Sequence, residues 1–134
     1  MSDTDAVLFA NEAFYRAFAD RDEAAMDDLW SASAQVACLH PGWGPLMGRE
    51  DVLSSWMAII RNPESPAILC HDARAHVYGD TAYVICFEEI AGNFLVATNV
   101  FVREGRVWKM VHHQAGPTSV RPDPESGEPA GPVN

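Results

Sequence analysis

The chain has 134 residues, is 48% hydrophobic, and carries 9 Lys and Arg against 19 Asp and Glu, a formal net charge of -10. That length suits one domain with a core that needs no disulfide or metal staple. The negative charge repels phosphate backbones and anionic lipid, so neither nucleic acid nor a membrane surface is expected as a partner. Cys38, Cys70 and Cys86 are odd in number, form no C-x-x-C pair, and each lies in an apolar stretch. They read as small buried hydrophobes in a reducing compartment. The segment Met1–Asp5 lacks a basic n-region, and no apolar run approaches transmembrane length, so a cytoplasmic protein is expected.

Residues 3–19 predict an amphipathic helix, with Val7, Asn11, Phe14 and Phe18 at helical spacing and Leu8 and Tyr15 widening the stripe. Asp20-Arg21-Asp22-Glu23 resembles a capping box that stops this helix and starts a short second one over about 22–31, burying Met26, Leu29 and Trp30. From Ser33 the period changes to two: Val36, Cys38 and His40 share one face of a strand of about six residues. Pro41-Gly42-Trp43-Gly44-Pro45 breaks both periods and predicts an irregular loop. Arg49–Arg61 returns to helix, with Val52, Leu53, Trp56, Ile59 and Ile60 apolar, and Asn62-Pro63 ends it.

Four alternating runs follow, at about 67–78, 81–91, 94–103 and 106–115, joined by turns at Gly79-Asp80, Gly92-Asn93 and Glu104-Gly105. Short turns between long alternating runs predict an antiparallel meander. Helices, strand, helix and then meander make an α+β domain rather than βαβ units. From Gly116 the composition turns to Pro and Gly with few large apolar residues, which predicts a disordered tail or an extended arm.

Polar residues inside apolar strands mark where chemistry could sit, because a buried polar group is costly unless paired or solvated by a cavity. His40 ends the first strand, one of Glu88 and Glu89 must point inward, Thr98 and Asn99 interrupt the third meander strand, and His112-His113-Gln114 end the last. Strict alternation puts Trp108, Met110, His112 and Gln114 on one face and Val107, Lys109, Val111 and His113 on the other. Lys109 prefers water, so the first set is assigned to the helix-covered face, joined by Asn99 and Phe101 or by Thr98 and Val100. The candidate ligand-binding residues are Trp30, Trp43, Trp56, Glu88, Phe101, Trp108, Met110, His112 and Gln114, with Trp43 at the pocket mouth. No metal site is expected, since only His40 and His112 could converge and two ligands are too few.

The helix–helix–strand start, His40-Pro41-Gly42-Trp43, the Gly48-Arg49-Glu50 step into a helix, and Trp108-Lys109-Met110-Val111-His112-His113-Gln114 together resemble the NTF2-like superfamily, in its SnoaL-like and ketosteroid-isomerase-like branch. The resemblance covers about 5–117. It implies a cone of helices packed on a curved antiparallel sheet enclosing a pocket, over 1–117, with 118–134 as tail, and a homodimer paired through the sheet's outer face. His40 before Pro41 matches the position of the isomerases' catalytic aspartate, and Tyr15 lies on the helix that carries their oxyanion-hole tyrosine. Their acid's place falls near Thr98 or Asn99, where this chain has no acid. The resemblance thus implies a cofactor-free isomerase, dehydratase or cyclase acting on a small apolar carbonyl compound. His40 would be its acid/base and Asn99 and Tyr15 its neutral donors, with a non-catalytic binding or association module as the alternative.

Overall fold

The computed structural model describes residues 1–122, so most of the expected tail lies outside the described residues. Helix α1 (Asp3–Ala19) starts where the Ser2 side chain accepts from the Asp5 backbone N–H, with Asp3 and Asp5 at the positive end of its dipole. It buries Val7, Asn11, Phe14, Tyr15, Ala17 and Phe18. The chain turns at Arg21, whose φ is 52°. The Arg21 guanidinium donates to the carbonyls of Ile60, Asn62 and Ser65, tying this corner to the far end of the third helix. Asp22 then caps α2 (Glu23–Leu29) by accepting from the Ala25 N–H. That helix is shorter than its apolar pattern predicts, because Trp30 is extended and forms a parallel bridge with Met110.

Strand β1 (Ala37–Leu39) is three residues rather than six. After the Pro-Gly loop the chain returns as β2 (Leu46–Met47), which pairs antiparallel with β1 and is too short to leave a period in the sequence. Helix α3 (Arg49–Arg61) follows, and then β3 (Leu69–Tyr78), β4 (Thr81–Ile90), β5 (Asn93–Glu104) and β6 (Val107–Pro117). The six strands form one sheet in the order β2-β1-β6-β5-β4-β3. The meander is antiparallel as expected, while β1 joins β6 in parallel. The β4–β5 turn uses Ala91 at φ 51° and Gly92 at φ 82°, the left-handed pair that fits a tight two-residue hairpin. The sheet is curved and unclosed, and the helices cover one side of it, as the α+β reading predicts.

The core lies between the inner sheet face and the helices. Phe14 meets Trp56 edge-on at 5.2 Å and Trp30 at 6.5 Å, above Phe101 and Met110, which are fully buried. Burying each such side chain contributes about 1.5–3 kcal/mol.

One irregularity decides which residues face that core. On β5 the register advances by one residue, Val100 to Phe101, while on β6 it advances by two, His112 to Met110. Val111 is the extra residue of a bulge, and a bulge flips the alternation beyond it. Trp108 and Met110 are buried as strict alternation predicts, but past the bulge the buried residues are His113 and Ala115. The expectation for His112 and Gln114 is therefore corrected: both lie on the outer face, and His113 takes the inner one.

Candidate functional site

Five polar side chains from four elements are buried together under α1: Asn11, Tyr15, Glu88, Asn99 and His113. Their hydrogen bonds have a direction. The Asn99 amide Nδ2 donates to Asn11 Oδ1 at 2.8 Å and to the Tyr15 hydroxyl at 3.2 Å. With its nitrogen so used, Asn99 presents Oδ1 as acceptor to His113 Nδ1 at 2.6 Å, so that ring nitrogen carries the proton. The Tyr15 hydroxyl donates to Glu88 Oε2 at 2.6 Å. The unprotonated His113 Nε2 then lies 3.9 Å from Glu88 Oε2.

Burial sets the charge state. Desolvation pushes His113 down to about 3, and nearby His40 and His112 add to the fall. Desolvation raises Glu88, opposed by the Tyr15 hydrogen bond, and raises Tyr15 well above its ordinary value, with Glu88 adding. The result is a neutral histidine base beside a carboxyl that burial drives toward its protonated form, in a setting that excludes water.

His40 forms a second station. The Ser55 hydroxyl donates to the Val52 carbonyl at 2.7 Å, so at 2.9 Å it accepts from His40 Nε2–H. This fixes the tautomer with Nδ1 unprotonated. The ring lies 4.7 Å from both Trp43, tilted against it, and Trp56, edge-on, and Trp56 lies 5.6 Å from His113. Desolvation lowers His40 to about 4. Trp43, 51% exposed, covers the outer side of His40 from the Pro-Gly loop.

Among the sequence-predicted residues, Tyr15, Glu88 and Asn99 are thus joined in one chain, and His40, Trp43 and Trp56 in an adjoining aromatic cluster. Trp30, Phe101 and Met110 are core, and Trp108 is buried under the Arg103 guanidinium, 5.5 Å from its ring. Three functional-looking residues escape the sequence reading. Asn11 sits on the apolar stripe of α1, and a polar residue on a buried stripe was a usable signal. His113 is hidden by the bulge, and Ser55 has no sequence signal. A cavity of about 330 Å³ lies between α1, α2 and the start of β6, lined by Ala6, Phe9, Ala10, Leu29, Val107 and Trp108 among others. Neither it nor a cavity of about 480 Å³ beside β1 and Val111 is lined by His40 or His113. Among the described residues, no three His, Cys, Asp or Glu side chains converge so as to hold a metal ion.

A family model described as a SnoaL-like domain matches residues 7–118. The F-box protein SKIP8 of Arabidopsis thaliana is 29% identical over 114 residues, 84% of this chain but 49% of that protein, so the chain spans about half the length of its curated relative. Among solved structures, a candidate dehydratase of the NTF2-like family from Streptomyces avermitilis is 36% identical with a TM-score of 0.81, covering 88% of this chain and 97% of its own. A candidate calcium/calmodulin-dependent protein kinase type II association domain from Thiobacillus denitrificans is 30% identical with a TM-score of 0.72, covering 81% and 92%.

Proposed function

The chain belongs to the SnoaL-like domain family of the NTF2-like superfamily, and on that premise we propose that its interior is a small-molecule site for cofactor-free proton transfer next to a carbonyl. The supporting observation is the buried, directional hydrogen-bond chain from His113 through Asn99 and Tyr15 to Glu88, with His40 beside it. At neutral pH His40 is an uncharged base. Once it has taken a proton it is a strong acid, suited to returning that proton elsewhere on an isomerising or dehydrating substrate. Tyr15 and Asn99, whose hydrogens go to Glu88, Asn11 and Tyr15 in this structure, would turn to the substrate to act as the neutral donors for the oxygen on which charge develops. The substrate is a small, largely apolar carbonyl compound, admitted past Trp43, and the setting is cytoplasmic.

The test begins with a native mass spectrum of gently purified protein and identification of any small molecule it releases. An apolar carbonyl compound or acid is expected. On that compound His40→Ala is expected to lower turnover by about 10²–10⁴-fold with fold retained. A His40→Ala variant with full turnover rejects His40 as the base.

A second reading, association through the sheet, is favoured by the outer face. Ile85 is 47% and Val96 41% exposed there, flanked by half-buried Tyr83, Phe87, Val100 and Val102. Such a face fits a homodimer. Ile85→Lys with Val96→Lys is expected to convert a dimer to monomer in sedimentation, while His40→Ala leaves the mass unchanged.

A further inference from the structure

Helix α1 carries a second apolar stripe beside the one that makes the core. Ala6, Phe9, Ala10 and Ala13 recur at the spacing of a helix face meant for burial, offset from the stripe of Val7, Asn11, Phe14 and Phe18. Among the described residues this second stripe is incompletely covered: Phe9 is 63% exposed, and Val107, which lines the same cavity, is 52% exposed. The gap exists because α2 stops early. Leu29 is its last residue, and Trp30 leaves the helix to bridge Met110. Lys109 Nζ donates to the Asp28 carbonyl at 2.6 Å and ties that end of α2 to β6. What remains is the cavity of about 330 Å³ between α1, α2 and the start of β6, with the buried Trp108 in its lining.

The charge around this cavity is opposite to that of the chain. Arg106 and Lys109 line it against one carboxylate, Asp28, although the net charge of the protein is -10. Asp28 already faces Lys109 at 3.4 Å. Glu104, two residues before Arg106, accepts from the Ser31 and Ser33 hydroxyls, and Asp3 and Asp80 pair with Arg103. Among the described residues Arg106 is thus the one Arg or Lys side chain with no hydrogen bond, ion pair or aromatic partner. We propose that this cavity, separate from the His40 and His113 site, binds a small apolar carboxylate, its hydrocarbon against Phe9, Leu29, Val107 and Trp108 and its anion on the Arg106 guanidinium.

The two halves of such a ligand match the two halves of the site. The volume lies in the range of small-molecule pockets, whose walls are mostly apolar with few polar groups to fix orientation. Taking hydrocarbon out of water supplies the non-directional attraction. The planar guanidinium supplies direction, because its fork of donors fits both oxygens of a carboxylate. An uncharged head group forfeits that contact. A doubly charged phosphate gains no second free cation and meets the Asp28 carboxylate, so a single negative charge fits best. Arg106 lies in the turn between β5 and β6, where Gly105 has φ 67°, so this hairpin sets the cation at the cavity while α1 and α2 supply its apolar side.

The test is a residue-resolved NMR titration of the whole chain with octanoate, and with octan-1-ol as its uncharged counterpart. Octanoate at millimolar concentration is expected to give saturable shifts at Ala6, Ala10, Leu29 and the Trp108 indole, and to bind more tightly than octan-1-ol. Arg106→Gln is expected to weaken octanoate by about fivefold and to leave octan-1-ol as it was. Phe9→Ser is expected to weaken both. Both substitutions fall at exposed positions, and the amide spectrum of each variant checks that its fold is kept. The proposal is overturned by octanoate shifts that are absent from this cavity or confined to His40 and His113, by equal binding of acid and alcohol, or by undiminished octanoate binding in Arg106→Gln.

Discussion

The inner and outer faces of the meander carry nearly the same residues and treat them differently. Glu88, Asn99 and His113 point inward, while their chain neighbours Glu89, Thr98 and His112 point outward. Glu89 meets His71 Nε2 at 2.8 Å in partial contact with water, as an ordinary cross-strand polar contact. Among the described residues Glu88 meets Tyr15 and His113, in a place where its charge is opposed by burial. What gives a residue its chemistry here is not its type but the side of the sheet that register assigns to it.

That contrast can be broken most forcefully at Asn99. Replacing it with Ala strips partners from Asn11, Tyr15 and His113 at once, and a loss of about 3–5 kcal/mol is expected in urea unfolding. Thr98→Ala, one residue away, is expected to change stability by less than about 0.5 kcal/mol.

Acid is the next largest lever. His40 and His113 are depressed in the folded state to about 4 and about 3, against 6.5 when unfolded. Below pH 6.5 the unfolded chain takes up protons that the folded one refuses. Stability is therefore full above that pH and falls as pH drops toward 4 and then 3, by on the order of a few kcal/mol. Glu88 has the opposite sign: its raised value takes stability away as pH rises above 4.5. The two histidines outweigh it. Thermal midpoints measured from pH 7 to pH 4 are expected to fall, and His113→Gln to flatten that slope.

A finer probe is Glu88→Gln, which keeps an oxygen to accept from Tyr15 while removing the acid. Its stability is expected to stay within about 1 kcal/mol of wild type, since the hydrogen bond survives. Any turnover found for the wild type is expected to fall by more than tenfold, with Glu89→Gln unaffected in both. Equal effects of the two substitutions on turnover would erase the distinction between the faces.

Much of the fold was legible because it is written in periods. The α1 stripe, the apolar face of α3 and the four meander strands all follow from spacing, and the Pro-Gly loop from its breakers. Two features were not. The parallel seating of β1 against β6 is a long-range pairing with no local sign, and β2 is two residues long. In the candidate site, His40 and Asn99 stood out as polar residues within apolar strands, Asn99 with Thr98 as the open alternative, and Tyr15 entered through the family resemblance. His112 and Gln114 were placed on the wrong face because alternation was carried through Val111, where the backbone spends two residues on one step. Asn11 was counted as part of the helical stripe but not as a polar group needing a partner.

The Val111 bulge also sets how β6 tolerates a change in length. In a strand, gaining or losing one residue normally turns everything downstream inside out. Here the odd residue is already absorbed at a fixed place, so chain length can drift by one at this point without disturbing the buried end of β6. A chain without the extra residue would still present His113 to the interior, whereas a shift of frame past the bulge would bury His112 and Gln114 in place of His113 and Ala115.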